Sequence, residues 1–398
     1  MTERSWRWFA IAVLILSSAL NYLDRSLLSV LMPTLRVEYQ IGNEELGYIV
    51  SAFSITYALM SPVMGLLVDR IGLRYGASAV VALWSAVGIG TGFAGTLVAL
   101  MICRALLGAA ESGGIPVTAK GAAVYLEPED RALGSAVSQF GITLGTMAAP
   151  ILTEYVSPRF GWRSAFVIAG ALGFVWIPLW LAISKRVPVA RVHSDPPRIS
   201  AATMLRDRGF QALIAANILA MTVYSLWLTW LTLFLATRYR LTQTEANLQY
   251  AWIPPIFASL GGLFGGWLSQ RLIRGGGALV ATRLRIATVA SLFALFTGVA
   301  PYAPSPALAV AAVCVSLFAL VCLSVNYYSI PLDLFGAERA AFGVSFLTGA
   351  FGLMTVFLAP QIGRWSERRG WEPVCVAVAA LPLISVLMLR VAFRGREV

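Results

Sequence analysis

Apolar runs of about twenty residues recur along nearly the whole chain, and that recurrence leaves few folds open. They occupy 8–31, 46–68, 76–94, 98–113, 132–153 and 165–183, and then 210–236, 248–268, 286–300, 307–330, 340–362 and 374–391. Crossing a hydrocarbon core ~30 Å thick takes ~20 helical residues. Hydrocarbon offers the backbone no hydrogen-bond partners, so continuous apolar runs of this length cross it as helices. With 58% hydrophobic and 12% charged residues, the chain also lies far from the ~25% charge of soluble proteins. We read it as an all-α membrane protein with twelve transmembrane helices. The first run carries Asp24 and Arg25 and no small-residue cleavage site, so it is expected to remain as a helix and not to leave as a signal peptide.

The longest polar interruption, rich in Pro, Arg and Ser, follows the sixth span. It predicts two six-helix bundles, 1–184 and 209–398, joined by a cytoplasmic linker over 185–208. Transporters built from repeated bundles hold their ligand between repeats near the membrane midplane. The halves also echo each other. Gly65-Leu66-Leu67-Val68-Asp69-Arg70-Ile71-Gly72-Leu73-Arg74 follows the second span, and Gly265-Gly266-Trp267-Leu268-Ser269-Gln270-Arg271-Leu272-Ile273-Arg274 follows the eighth. Cytoplasmic loops carry the excess of Lys and Arg, and Arg70, Arg74, Arg131, Lys185, Arg186, Arg271, Arg274, Arg283 and Arg285 place both termini in the cytoplasm. Spread over short loops, these cations account for the net charge of +11 without the basic stripe that nucleic acid requires. Cys103, Cys314, Cys322 and Cys375 lie within spans and read as apolar fillers, and His193 lies in the polar linker.

Five charges interrupt the apolar runs of the first half: Asp24, Arg25, Arg104, Glu111 and Lys120. Each costs ~2.5–3.5 kcal/mol at the centre of a span on insertion scales, so such groups pair, line an aqueous path or bind a ligand. Arg104 and Glu111 share a helix face about 10 Å apart along the axis, which favours a partner for Glu111 across the bundle, Arg25 or a ligand, over Arg104 itself. Gly113, Gly114 and Pro116 can bend the helix before Lys120 and leave it at either the cavity or the cytoplasmic mouth. Buried ion pairs that only fix helix register would be a costly way to stabilise a fold. Asn326, and Gln139 in the fifth span, are the best uncharged candidates for ligand contact.

These residues resemble a known family. The first loop copy matches the signature of the major facilitator superfamily, which implies the twelve-helix major facilitator fold. A narrower similarity, to the anion:cation symporter branch, rests on Asn21-Tyr22-Leu23-Asp24-Arg25, Tyr57, Pro62, Arg104, Glu111, Pro116, Glu127-Pro128-Glu129-Asp130-Arg131 and Gly161-Trp162-Arg163. The branch includes bacterial hexuronate and galactonate transporters and animal sialic-acid and vesicular glutamate transporters. The resemblance implies that Asp24 and Glu111 carry protons and that Tyr22, Arg25, Tyr57 and Arg104 hold the substrate anion. Lys120 resembles a lysine of hexuronate transporters. Thr348 stands nearest to the place where the branch often carries a substrate-facing Asn. By the same resemblance Asp69 and Arg70, with Arg74, Arg131 and Arg271 at loop ends, belong to a cytoplasmic gate. The Trp230-Leu231 pair is followed by Thr232 where the branch often has Pro.

The expectation is a proton-coupled symporter that imports a small organic anion by alternating access, with a sugar acid such as a hexuronate or aldonate as favoured cargo. Counting Asp24 and Glu111 against Arg25, Arg104 and Lys120, one bound anion would bring the cluster to neutrality. An exchanger or uniporter of organic anions or phosphate esters is the alternative, and a multidrug antiporter the second. The chain shows no intramembrane histidine, metal constellation or nucleophile–base pair, which argues against an enzyme. The expected partners are the anion, protons and membrane lipids, with no cofactor, metal or nucleic acid. The expected setting is a monomer in a bacterial inner membrane.

Overall fold

The computed structural model describes residues 3–125, 131–186, 201–335 and 337–394. Side chains at 3–4, 62, 66, 69, 119, 122–123, 131–139, 201, 332, 337–342 and 345 lie outside the description. The expected roles of Asp69, Arg131 and Gln139 therefore fall outside the described residues, as do the 127–130 part of the loop motif and His193.

Every regular element described is helical. In chain order they are α1 (Glu3–Glu38), α2 (Asn43–Thr91), α3 (Leu97–Glu111), α4 (Gly114–Tyr125), α5 (Arg131–Phe160) and α6 (Arg163–Ser184). Then come α7 (Ala201–Arg206), α8 (Arg208–Arg238), α9 (Gln243–Ala246), α10 (Pro254–Arg274), α11 (Leu279–Ala294) and α12 (Phe296–Val299). The last are α13 (Pro306–Phe335), α14 (Ala337–Arg369), α15 (Trp371–Ala379) and α16 (Leu381–Ala392). Ten stretches among the described residues are long and apolar enough to cross a membrane. The two remaining runs, 46–68 and 132–153, are helical too, in the first limb of α2 and in α5. The twelve-helix reading stands.

The helices differ from the runs where glycine and proline intervene. Spans two and three form one continuous element, α2, that turns a corner at Gly72, whose φ of 78° suits a residue without a Cβ. The second loop copy turns on Gly276, with φ 91°, between α10 and α11. Span four is broken. α3 stops at Glu111 and α4 resumes at Gly114, so the break falls directly beside the buried acid.

The chain forms two compact units. The first contains α1–α6 and also the segment Leu241–Trp252; the second contains α7, α8 and α10–α16. In the first, α1 packs on α5 and α6, and α2 packs on α3 and α6. Arg163 clamps one end of this unit. It donates to Glu38 (2.9 Å) and to the Ala94 carbonyl (3.4 Å), and its guanidinium lies 4.3 Å from the Trp162 ring centre. In the second unit α13 packs on α8, α10, α11 and α14. There Arg283 of α11 pairs with Asp333 of α13 and donates to Ser269 of α10 at 3.3 Å.

The segment 241–252 joins the first unit through polar contacts. Thr242 and Glu245 form a capping box that starts α9. The Glu154 carboxylate of α5, 8% exposed, accepts from Gln243 Nε2 (3.3 Å), Thr244 Oγ1 (2.6 Å) and Asn247 Nδ2 (2.6 Å). Asn247 also donates to the Val30 carbonyl (3.2 Å), while Gln243 Oε1 accepts from Thr34 N (3.2 Å) and Oγ1 (2.6 Å). Val30 and Thr34 are helix partners four residues apart, and each also meets a side chain of the segment beside Pro33.

Candidate functional site

The site grows from a short stretch of α1, Asn21 to Arg25. Successive helical side chains differ by about 100° in direction, so Asp24 and Arg25 face different neighbours. Asp24 points toward the second limb of α2, where its Oδ1 lies 3.6 Å from the position a Cβ on Gly88 would take. Arg25 points toward the first limb of α2 and toward α3. Its Nε and Nη2 both donate to Glu111 Oε2 at 3.2 Å. Thus Glu111 meets Arg25 across the bundle, and not Arg104 on its own helix.

Arg25 also sits among three aromatic faces. Its Cζ is 4.8 Å from the centre of Tyr22, 4.9 Å from Phe53 and 4.8 Å from Tyr57. A cation–π contact is worth roughly 0.5–2 kcal/mol depending on solvent access, and Arg25 keeps a quarter of its side chain exposed. Arg104, only 2% exposed, donates Nη2 to the Arg25 carbonyl at 3.3 Å and lies 5.8 Å from the Phe53 ring centre. Its charge interacts with those of Glu111, Asp24 and Arg25.

Several buried polar atoms in this cluster have no protein partner. They are both carboxylate oxygens of Asp24, Nε and Nη1 of Arg104, Oε1 of Glu111 and Nδ2 of Asn21. Buried polar groups are nearly always satisfied, and charged ones are costly when they are not. Arg104 presents Nε and Nη1 of its guanidinium without a protein acceptor, and charge-assisted bonds from such donors suit a carboxylate.

Lys120 stands apart. Its Nζ donates to the Val68 carbonyl at 3.1 Å, near the corner end of the first limb of α2. Val68 lies eleven residues beyond Tyr57, roughly 16 Å along the helix. The sequence left Lys120 between cavity and mouth, and the structure places it at the loop end. The charge count changes accordingly. Asp24, Arg25, Arg104 and Glu111 make a cluster of two acids and two arginines, without the third cation of the sequence-based count.

The other expected residues fall as follows. Asn326 is buried and donates to the Cys322 carbonyl of its own helix at 2.9 Å, while its Oδ1 has no partner. Thr348 donates back to Val344 at 3.0 Å. Trp227 and Trp230, each 1% exposed, are packing residues, with Trp227 bonded to Thr297 at 2.9 Å. Among the gate residues Arg70 is exposed, Arg74 donates to the Leu181 carbonyl at 3.3 Å, and the Arg271 guanidinium lies 5.5 Å from the Trp267 ring centre. Three features escaped the sequence: Phe53, the Glu154 cluster and the Arg283–Asp333 pair. Phe53 looks like any lipid-facing aromatic in an apolar run. The Thr-Gln-Thr-Glu capping box at 242–245 was a readable signal for the second, though not for its carboxylate partner.

The comparisons agree with this architecture. The family model described as Major Facilitator Superfamily matches residues 14–357. The chain is 27% identical over 403 residues to the "Hexuronate transporter" of Escherichia coli (strain K12), covering 96% of this chain and 93% of that one. It is 28% identical over 326 residues to the "Galacturonate transporter" of Dickeya chrysanthemi, covering 77% and 94%. A crystal structure of a bacterial homologue of the human lysosomal transporter Spinster superimposes with a TM-score of 0.79 at 20% identity, over 98% of this chain and 97% of that one. The last likeness concerns the fold alone.

Proposed function

The chain belongs to the Major Facilitator Superfamily, and from that premise we propose that it is a proton-coupled symporter that imports a sugar acid by alternating access. As a member of that family it is a multi-pass membrane transporter and not an enzyme. The observation that carries the proposal is the incomplete pairing of two arginines, Arg104 buried and Arg25 with a quarter of its side chain exposed. Arg104 keeps Nε and Nη1 unpartnered, and Arg25 engages only one oxygen of the Glu111 carboxylate. The substrate class comes from the relatives, named as hexuronate and galacturonate transporters. Tyr22 and Tyr57 add aromatic faces and hydroxyls that suit a hydroxylated ring, and Asn326 and Thr348 are the contacts proposed from the second half. Gln139 is proposed with them from its sequence position.

Charge neutrality supplies the coupling. With both acids ionised, the four groups sum to zero. A monoanionic substrate adds one negative charge in a medium where an uncompensated charge is expensive. One proton on Glu111 or Asp24 restores the balance. Protonation of Glu111 also weakens its grip on Arg25, which then turns its donors to the substrate carboxylate. Release of the anion inside returns Glu111 to Arg25 and expels the proton. Asp69, Arg70, Arg74, Arg131 and Arg271 are proposed as the cytoplasmic gate, and Lys120, beside Val68, is better suited to that group than to the substrate. We further assign both termini to the cytoplasm, the protein to a bacterial inner membrane as a monomer, and the bundle division to 1–184, 185–208 and 209–398.

Reconstituted vesicles test this reading. An inward proton gradient alone should drive accumulation of galacturonate or a related hexuronate. Uptake that requires a second anion inside, and ignores the gradient, would identify an exchanger and overturn the proposal.

A further inference from the structure

Phe53 is the one ring among the described residues that lies within cation–π range of both arginines of the site, 4.9 Å from Arg25 and 5.8 Å from Arg104. Tyr22 and Tyr57 reach Arg25 only. The ring is held in place from two sides. Tyr57 stacks on it at 5.7 Å with planes 22° apart. Beneath it α3 presses directly on the α2 backbone: a Cβ on Gly108 would collide with the Phe53 carbonyl and the Thr56 hydroxyl. Thr56 closes the contact by donating to the Ala105 carbonyl at 2.6 Å. Gly108 lies between Arg104 and Glu111 on α3, so the close approach that seats Phe53 also sets the heights of both charged groups.

An aromatic face has a property here that no other side chain of this size offers. It attracts a guanidinium through its quadrupole and takes up none of the conventional N–H valences. An amide or carboxylate at the same place would bind the arginines and compete with an incoming anion. A leucine would leave two like charges facing one another across hydrocarbon.

We propose that Phe53 is a positioning residue that orients Arg25 and Arg104 by its ring while leaving their donors to the substrate carboxylate. The proposal rests on the reading that these arginines receive the anion. Its dependence on aromatic character, and not on volume, is what separates it from ordinary packing.

The test is galacturonate uptake by reconstituted protein under a fixed inward proton gradient, with KM and maximal rate measured for the wild type and for Phe53→Tyr, Phe53→Leu and Phe53→Met. Phe53→Tyr should keep KM within about threefold of wild type, whereas Phe53→Leu and Phe53→Met should raise it about tenfold or more. Maximal rates should stay within about threefold. Phe53→Met covers the case in which Phe53→Leu does not fold, since methionine fills gaps adaptably. An unchanged KM in the aliphatic variants, or an equal loss in Phe53→Tyr, would overturn the role of the ring while leaving the transport reading intact. A wild type that accumulates no hexuronate would overturn the transport reading, and this inference with it.

Discussion

At the scale of single residues, the site is defined by what each charge touches and by what it leaves open. Glu111 accepts two donors from Arg25 on one oxygen and none on the other. Glu111→Gln keeps the shape and removes the titratable group. It should lower gradient-driven accumulation at least about tenfold while exchange of labelled for unlabelled substrate across the membrane persists, because exchange needs no net proton transfer. Counterflow and gradient-driven uptake measured on one preparation check this. Arg104 is placed differently, with two donors unpartnered. Arg104→Lys keeps the charge but loses the planar fork, and should weaken sugar-acid binding about tenfold or more, read as a smaller ligand-induced rise in thermal midpoint. The sequence already marked these positions, since a charge in an apolar run is conspicuous. It could not mark Phe53, whose importance comes from the two helices that converge on its ring.

At the scale of elements, glycines and prolines decide where a span stops behaving as a rod. Gly72 turns two spans into one cornered helix, and the Gly113–Pro116 stretch breaks the fourth span beside Glu111. Both disturbances were readable as residue types, but their geometry was not. The segment 241–252 is the clearest case of information beyond local sequence. Its capping box predicts a helix start at Thr242, yet only the fold shows that Glu154, about ninety residues earlier, gathers three of its side chains. The chain continues from both ends of the segment into the second unit. Glu154→Ala leaves three donors of this cluster without their acceptor, at about 1–3 kcal/mol for each group that stays buried. Hydrogen exchange should then accelerate at residues 241–252 with little change in α2 or α3. Unaltered protection there would mean that Glu154 does not hold the segment.

At the scale of the whole molecule, the twelve spans were legible from hydropathy because the bilayer fixes their length, and the positively charged loops favoured one orientation. The charge distribution between the halves was legible too, but its meaning shifted because Lys120 lies against Val68, near the corner of α2. On the proposed reading the two acids balance the two arginines of the cluster, which ties each monoanion that enters to one proton. Galacturonate uptake and proton uptake measured together in the same vesicles, with the membrane potential clamped at zero, test that tie most directly. One proton per monoanion, and no accompanying current, is the result expected. Anion uptake without proton movement would contradict it.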